Sequence, residues 1–231
     1  VKATTINVTG GDALYAEDLD LTNGGNKTLH VNTATVNAAT HTGTLTVTAN
    51  SATATSVTAQ GVAVQSITGG TKNDVIDLTV AAGTATHVID GSTGSDTLKL
   101  SYSGAANVAS ITNVETLDVT VGASATVTLT QAAGKFVNEA TTLNIRGGNS
   151  LSTFSLGATD PIDDTTLTLV DATNYDGRIS QLKFDDDALA DTTNIKGGSS
   201  AKDTITFSTD TGGKTFITNT QDIEYYYYTH D

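Results

Sequence analysis

The feature that most narrows the fold of this chain is internal repetition. Four segments share one frame, an aliphatic residue followed two positions later by glycine: Ile67-Thr68-Gly69-Gly70, Ile89-Asp90-Gly91-Ser92, Ile145-Arg146-Gly147-Gly148 and Ile195-Lys196-Gly197-Gly198. Two stretches are close copies 50 residues apart, Asn144-Ile145-Arg146-Gly147-Gly148-Asn149-Ser150 and Asn194-Ile195-Lys196-Gly197-Gly198-Ser199-Ser200. Thr116-Leu117-Asp118-Val119 and Thr166-Leu167-Thr168-Leu169 are also 50 apart, so the repeat carries a strand as well as a turn. Recurrence of this kind marks stacked units that bury a face only against their neighbours. Aliphatic anchors at Leu21, Leu45, Ile67, Ile89, Leu117, Ile145, Leu167, Ile195 and Ile217 step by 24, 22, 22, 28, 28, 22, 28 and 22 residues. Such steps predict an all-β solenoid, parallel β-helix-like, of nine rungs about 4.8 Å apart and on the order of 40 Å long. The expected unit is one elongated β-rich domain over 1–231, a piece of a longer chain or the whole of it. Two tandem β-sandwiches divided near 134–161 are the alternative, because turns every 8 to 12 residues suit both.

Local patterning agrees with strands. Branched apolar and small polar residues alternate in Thr44-Leu45-Thr46-Val47-Thr48, Ala125-Thr126-Val127-Thr128-Leu129-Thr130 and Thr166-Leu167-Thr168-Leu169-Val170, as in strands with one buried face. About one residue in five is threonine, a β-branched residue suited to a pleated surface. Helical spacing is confined to short stretches at 132–140 and 179–189.

The glycine frames continue into candidate cation turns. Gly69-Gly70-Thr71-Lys72-Asn73-Asp74-Val75-Ile76 and Gly91-Ser92-Thr93-Gly94-Ser95-Asp96-Thr97-Leu98 resemble the nonapeptide calcium repeat of RTX proteins, G-G-x-G-x-D-x-U-x. Lys72 stands at the third glycine of the first turn and Ser92 at the second glycine of the other. Gly197-Gly198-Ser199-Ser200-Ala201-Lys202-Asp203-Thr204-Ile205 fits with one inserted residue, and Gly147-Gly148-Asn149-Ser150 lacks the aspartate. Glycine lets the backbone turn tightly and aim carbonyl oxygens at one point, while aspartate adds a charged oxygen. The expected Ca2+ ligands are Gly69, Gly70, Asn73, Asp74, Asp77, Asp90, Gly91, Gly94, Asp96, Gly197, Gly198 and Asp203. Calcium takes 6 to 8 oxygens, so one turn needs a neighbour to complete the shell, and the 22 residues from Ile67 to Ile89 would stack the first two. Without metal, the same residues make ordinary β-turns.

A second signature follows these turns. Asp96-Thr97-Leu98-Lys99-Leu100 leads to Ile111-Thr112-Asn113-Val114-Glu115-Thr116-Leu117-Asp118-Val119. A weaker echo pairs Asp203-Thr204-Ile205-Thr206-Phe207 with Ile217-Thr218-Asn219-Thr220-Gln221-Asp222-Ile223-Glu224. Here the chain resembles the proteobacterial S-layer proteins that carry RTX-type repeats, in motif over 67–119 and 194–224 and in composition over most of its length. The resemblance implies a calcium-dependent lattice on the outer cell surface, exported by type I secretion, self-associating and held by cell-surface glycan or lipopolysaccharide. It also implies that Tyr225-Tyr226-Tyr227-Tyr228 belongs to a secretion tail, where the residues alone read as a final strand with tyrosine on both faces. RTX adhesins share such repeats and give the alternative function, a binding module.

Charge and chemistry exclude several classes. A net charge of −14 repels nucleic acid and anionic lipid and attracts hard divalent cations. No apolar run is long enough for membrane insertion, and Val1–Gly10 has no signal-peptide core, as expected of a mature fragment or a protein exported without an N-terminal signal. With no cysteine there is no disulfide, thiol nucleophile or thiolate metal site. A β-helix polysaccharide enzyme would use calcium beside a base, but the only arginines, Arg146 and Arg178, read as surface charges. His30, His41, His87 and His230 lack zinc-motif spacing and read mostly as solvated strand residues. The acidic clusters at 160–164 and 185–187 read as solvated loops. The chain is expected not to be an enzyme.

Overall fold

The structure is a computed structural model that describes residues 5–8, 19–20, 27–31, 35–38, 45–49, 56–60, 65–80, 87–102, 110–129, 140–156, 167–185, 194–200, 203–209, 220–223 and 225–230. The described strands begin with β1 (Thr5–Val8), β2 (Leu19–Asp20), β3 (Lys27–Val31), β4 (Thr35–Ala38), β5 (Leu45–Ala49), β6 (Ser56–Gln60) and β7 (Gln65–Thr68). They continue with β8 (Val75–Val80), β9 (Val88–Asp90), β10 (Thr97–Tyr102), β11 (Ser110–Thr112), β12 (Thr116–Val121), β13 (Thr126–Leu129) and β14 (Thr142–Gly147). The last are β15 (Thr153–Leu156), β16 (Leu169–Tyr175), β17 (Arg178–Asp185), β18 (Asn194–Lys196), β19 (Thr204–Thr209), β20 (Thr220–Gln221) and β21 (Tyr225–His230).

Every pairing among these strands is parallel, and among the described residues there is no helix. A β-sandwich is built from antiparallel sheets, so this is the β-solenoid and not the tandem sandwich. The even-numbered strands form one continuous ten-stranded spine, β2 to β20. At about 4.8 Å per strand its nine intervals span about 43 Å. A second sheet of odd strands, β1 to β11, precedes the spine in each rung; a third, β13 to β21, follows it. The exchange falls at 110–129, where β11, β12 and β13 are joined by two short turns.

Alternation sets which residues fill the rod. Along β10 and β12 every second residue is buried, Leu98, Leu100 and Tyr102, then Leu117, Val119 and Val121. One column of the spine runs Val57, Ile76, Leu98, Leu117, Leu143, Val170 and Ile195 in register, all buried. Branched side chains repeated at the strand pitch stack on one another and exclude water. Tyr102, Phe154 and Tyr175 fill the remaining width, and burial drives the pKa of both tyrosines up, that of Tyr175 with help from the charge of Asp203.

The register corrects several expectations. Ile67 and Ile89 are partners, as their spacing of 22 predicts. Leu45, however, faces Gln65, and it is Val47 that faces Ile67. The step from Ile89 to Leu117 crosses between sheets, since Ile89 pairs with Ile111 and Leu117 with Leu98 and Leu143. The copied segments are two residues out of phase: Leu143, through Val170, aligns with Ile195, whereas Ile145 pairs with Val119. The register steps are 27 residues from Leu143 to Val170 and 25 from Val170 to Ile195, 52 in place of the copied 50, and within the later rung β16 and then β17 each bulge by one residue against the preceding strand. That same bulge removes the predicted helix at 179–189 over its described part. Ile179 and Leu182 are both buried with Ser180 and Gln181 between them, a helix-like spacing produced by a strand that shifts phase. Leu21, Ile217, 132–139 and 160–164 lie outside the described residues.

Candidate functional site

Because all spine strands run the same way, turns entering them line one edge of the rod. The turn 69–74 enters β8, 91–96 enters β10 and 113–115 enters β12, so the two calcium-like turns do stack, and the stack continues onto Asn113-Val114-Glu115. Gly69 N–H donates to Asp90 O at 2.8 Å and Gly91 N–H to Thr112 O at 3.0 Å. The α-carbons ride close on the next rung: a side chain at Gly69 would strike the Gly91 carbonyl, and one at Gly91 the Asn113 carbonyl. Glycine is required here by proximity, one rung above another.

The aspartates point inward, not out. Asp74 and Asp96 are 1% and 2% exposed and form a ladder with the backbone. Asp74 Oδ2 accepts from Gly70 N–H at 2.5 Å; Asp96 Oδ1 accepts from Asp74 N–H at 2.7 Å; Glu115 Oε2 accepts from Asp96 N–H at 2.6 Å. Asp96 and Glu115 thus each cap an amide of the rung before, and Asp74 caps an amide of its own turn, charge-assisted bonds that suit a buried site. At the surface Asn73 reaches the other way, its Oδ1 accepting from Ser95 N–H of the next rung at 3.1 Å. Glu115 was absent from the expected ligands, yet it stands before Thr116-Leu117 as Asp96 stands before Thr97-Leu98 and Asp74 before Val75-Ile76. That alignment gives the Asn-Val-Glu-Thr-Leu signature a physical role, closing the ladder with a longer carboxylate.

The second turn breaks the pattern at one atom. In the first turn the second glycine supplies the N–H for Oδ2 of its aspartate. At that position Ser92, with φ of 73°, gives its N–H to Asp90 Oδ1 at 2.9 Å, and Asn113 Nδ2 donates to the same oxygen at 2.7 Å. Asp96 Oδ2 is left buried with no hydrogen-bond partner. Burial, then the charges of Asp74, Glu115 and Asp90 against the bond from Asp74 N–H, push the Asp96 pKa up to about 6.

The other predicted ligands fall elsewhere. Gly94 lies at the outer rim, its α-carbon against the Lys72 carbonyl. Asp77 is on the outward face of the spine, in register with Lys99 and apart from the turns. Gly197, Gly198 and Asp203 form a turn leaving β18, on the opposite edge of the spine. There Asp203 Oδ2 accepts from Gly198 N–H at 2.8 Å and Oδ1 from Ile179 N–H at 2.9 Å, so both oxygens are engaged by amides. Its echo Glu224 lies outside the described residues. His87 is fully buried rather than solvated, which lowers its pKa. Arg146 is a half-buried surface charge bound to Asp118 at 2.6 Å.

The carboxylates are strung one per rung and do not converge, and among the described residues no group of three or more histidine, cysteine, aspartate or glutamate side chains is arranged to hold a metal ion. Of the predicted aspartates, Asp96 fits a cation best, through its one unengaged oxygen; Asp203 does not. Comparison with protein-family models, with curated proteins and with solved structures found no match to this chain.

Proposed function

We propose that this chain is a structural module of a bacterial surface layer, an extracellular β-solenoid that assembles in the presence of calcium. The observation that carries the reading is the buried Asp96 Oδ2 on the stacked-turn edge, without a partner and repelled by the charges of Asp74, Glu115 and Asp90. A buried, unpaired carboxylate oxygen is costly until a proton or cation neutralises it. The charge of −14 favours a divalent cation, and the Asp96–Val119 signature resembles that of RTX-type S-layer proteins. Calcium bound there would supply the missing charge; Asp96 would hold it, with Asp90, Glu115 and turn carbonyls as the nearest chemistry of the right kind. The rod would serve as a stiff repeating tile, with turnover no part of its role.

Asp96→Asn tests the calcium step, because the amide keeps an acceptor for Asp74 N–H and removes the charge. Since the folded pKa of Asp96 is raised from 3.8 to about 6, its ionisation disfavours the fold: the penalty is absent below about pH 4, grows to about pH 6 and stays constant above. In chelator the variant is expected to melt above the parent at about pH 7.5, with the gap closing by about pH 4. With calcium at a hundredfold excess over Kd the parent should gain about 2.7 kcal/mol and the variant nothing. Equal calcium responses in thermal melts of the two proteins, or no response in either, would refute the site.

A further inference from the structure

The outward face of the spine carries a column of charge that neither the turns nor the core requires. Alternating with buried aliphatics, residues Asp77, Lys99, Asp118, Asn144, Asp171 and Lys196 lie side by side on β8, β10, β12, β14, β16 and β18. Arg146 binds Asp118 at 2.6 Å and Lys196 binds Asp171 at 3.3 Å. Among the described residues Asp77 and Lys99 make no ion pair, and Lys99 is exposed.

Read from either end, this column is complementary to itself. Turned about a twofold axis parallel to the strands and passing between β12 and β14, it sets Asp77 against Lys196 of a second copy, Lys99 against Asp171, and Asp118 against Asn144. Asp77 and Lys99 of one chain and Lys196 and Asp171 of the other then form a checkerboard in which each charge has the opposite sign both beside and across from it. The symmetry makes this cluster twice. At the axis Arg146 faces Thr120, the strand neighbour of Asp118 by two residues. In-register parallel stacking would instead place Lys99 on Lys99 and Asp118 on Asp118, which like-charge repulsion disfavours. Isologous pairing by a twofold axis is also the commonest geometry of self-association.

We propose that the outward face of the spine is a self-association surface that pairs two rods antiparallel, with a second copy of this chain as the partner. This rests on the surface-layer reading and names one of its contacts. Six strands at about 4.8 Å and about six residues at 3.3 Å each give a patch on the order of 600 Å² per partner. That is below the ~800 Å² per partner of a standard stable interface, so one contact is weak and salt-sensitive, as befits a joint repeated through an array.

The test is sedimentation velocity of the full chain at low salt, with and without calcium, for the parent, Lys99→Glu, and the double variant Lys99→Glu/Asp171→Lys. The expected result is a dimer that weakens at least tenfold in Lys99→Glu and in high salt, and returns in the double variant. Lys99 is exposed, so circular dichroism should show the fold unchanged. The chain has no cysteine, so a bis-maleimide can join Thr116→Cys chains to Thr142→Cys chains; the antiparallel pair predicts mixed cross-links in preference to either like pair. A dimer indifferent to Lys99→Glu, or like-with-like cross-links, would overturn this face while leaving calcium-driven assembly intact. Loss of calcium-driven particle growth in the parent, with the dimer retained, would count against the surface-layer reading alone.

Discussion

Gly91→Ala is expected to lose about 3 kcal/mol or more of folding stability, measured by urea unfolding. The new methyl would strike the Asn113 carbonyl oxygen and lie 2.6 Å from Asp96 Oδ2 and 2.9 Å from Asp96 Cβ. Neither neighbour can give way cheaply. The Asn113 carbonyl belongs to the turn beneath, which is fixed by the Gly91 N–H bond to Thr112 O and by the Asn113 side-chain bond to Asp90. Moving Asp96 breaks the bond it accepts from Asp74 N–H and the one its own N–H makes to Glu115. Relief must therefore come from separating rungs held at the hydrogen-bond pitch, and the damage spreads to both neighbours. A change within 1 kcal/mol of the parent would mean that the turns do not stack as closely as described.

Phe154→Ala should cost about 3–5 kcal/mol in the same assay. Phe154 is fully buried on β15, in register between Val127 on β13 and Ile179 on β17. In a globule a cavity shrinks as elements slide together. In a solenoid the rung spacing is set by backbone hydrogen bonds along the axis, so the hole persists and the neighbours keep their lost contacts. Leu151 provides the control within the same turn region: it is 72% exposed, and Leu151→Ala should stay within about 0.5 kcal/mol. Comparable losses at the two positions would contradict the assigned inward face of the third sheet.

The sequence reveals its repeat wherever rungs keep one length. Ile67 and Ile89 can be read directly because they lie one rung apart on neighbouring strands of one sheet, and the next step on that sheet, Ile89 to Ile111, is again 22 residues. Legibility fails where the chain changes which sheet accompanies the spine, so that Ile89 and Leu117 look equivalent although they belong to different sheets. It fails again where a bulge changes phase: Ile179 and Leu182 imitate helical spacing because two consecutive residues between them face outward. The turns were legible as glycine and aspartate in fixed positions, since only glycine fits against the next rung. Their carboxylates were less so. Sequence spacing alone does not tell an aspartate that caps its own rung stack from one that awaits a cation, and the difference at Asp96 comes from Ser92 giving its amide to Asp90 instead. Glu115 was hidden by its extra methylene, and becomes visible only when Thr97 and Thr116 are aligned as partners.

Light scattering of chelator-stripped protein on calcium addition, with electron microscopy of the product, reads directly whether calcium turns this rod into an assembling tile. Particles should grow with calcium, form ordered sheets or files of rods, disperse on adding chelator, and fail to form with Asp96→Asn. A parent protein that keeps the scattering of a single rod through millimolar calcium, on the order of the weakest extracellular calcium affinities, would contradict calcium-driven assembly.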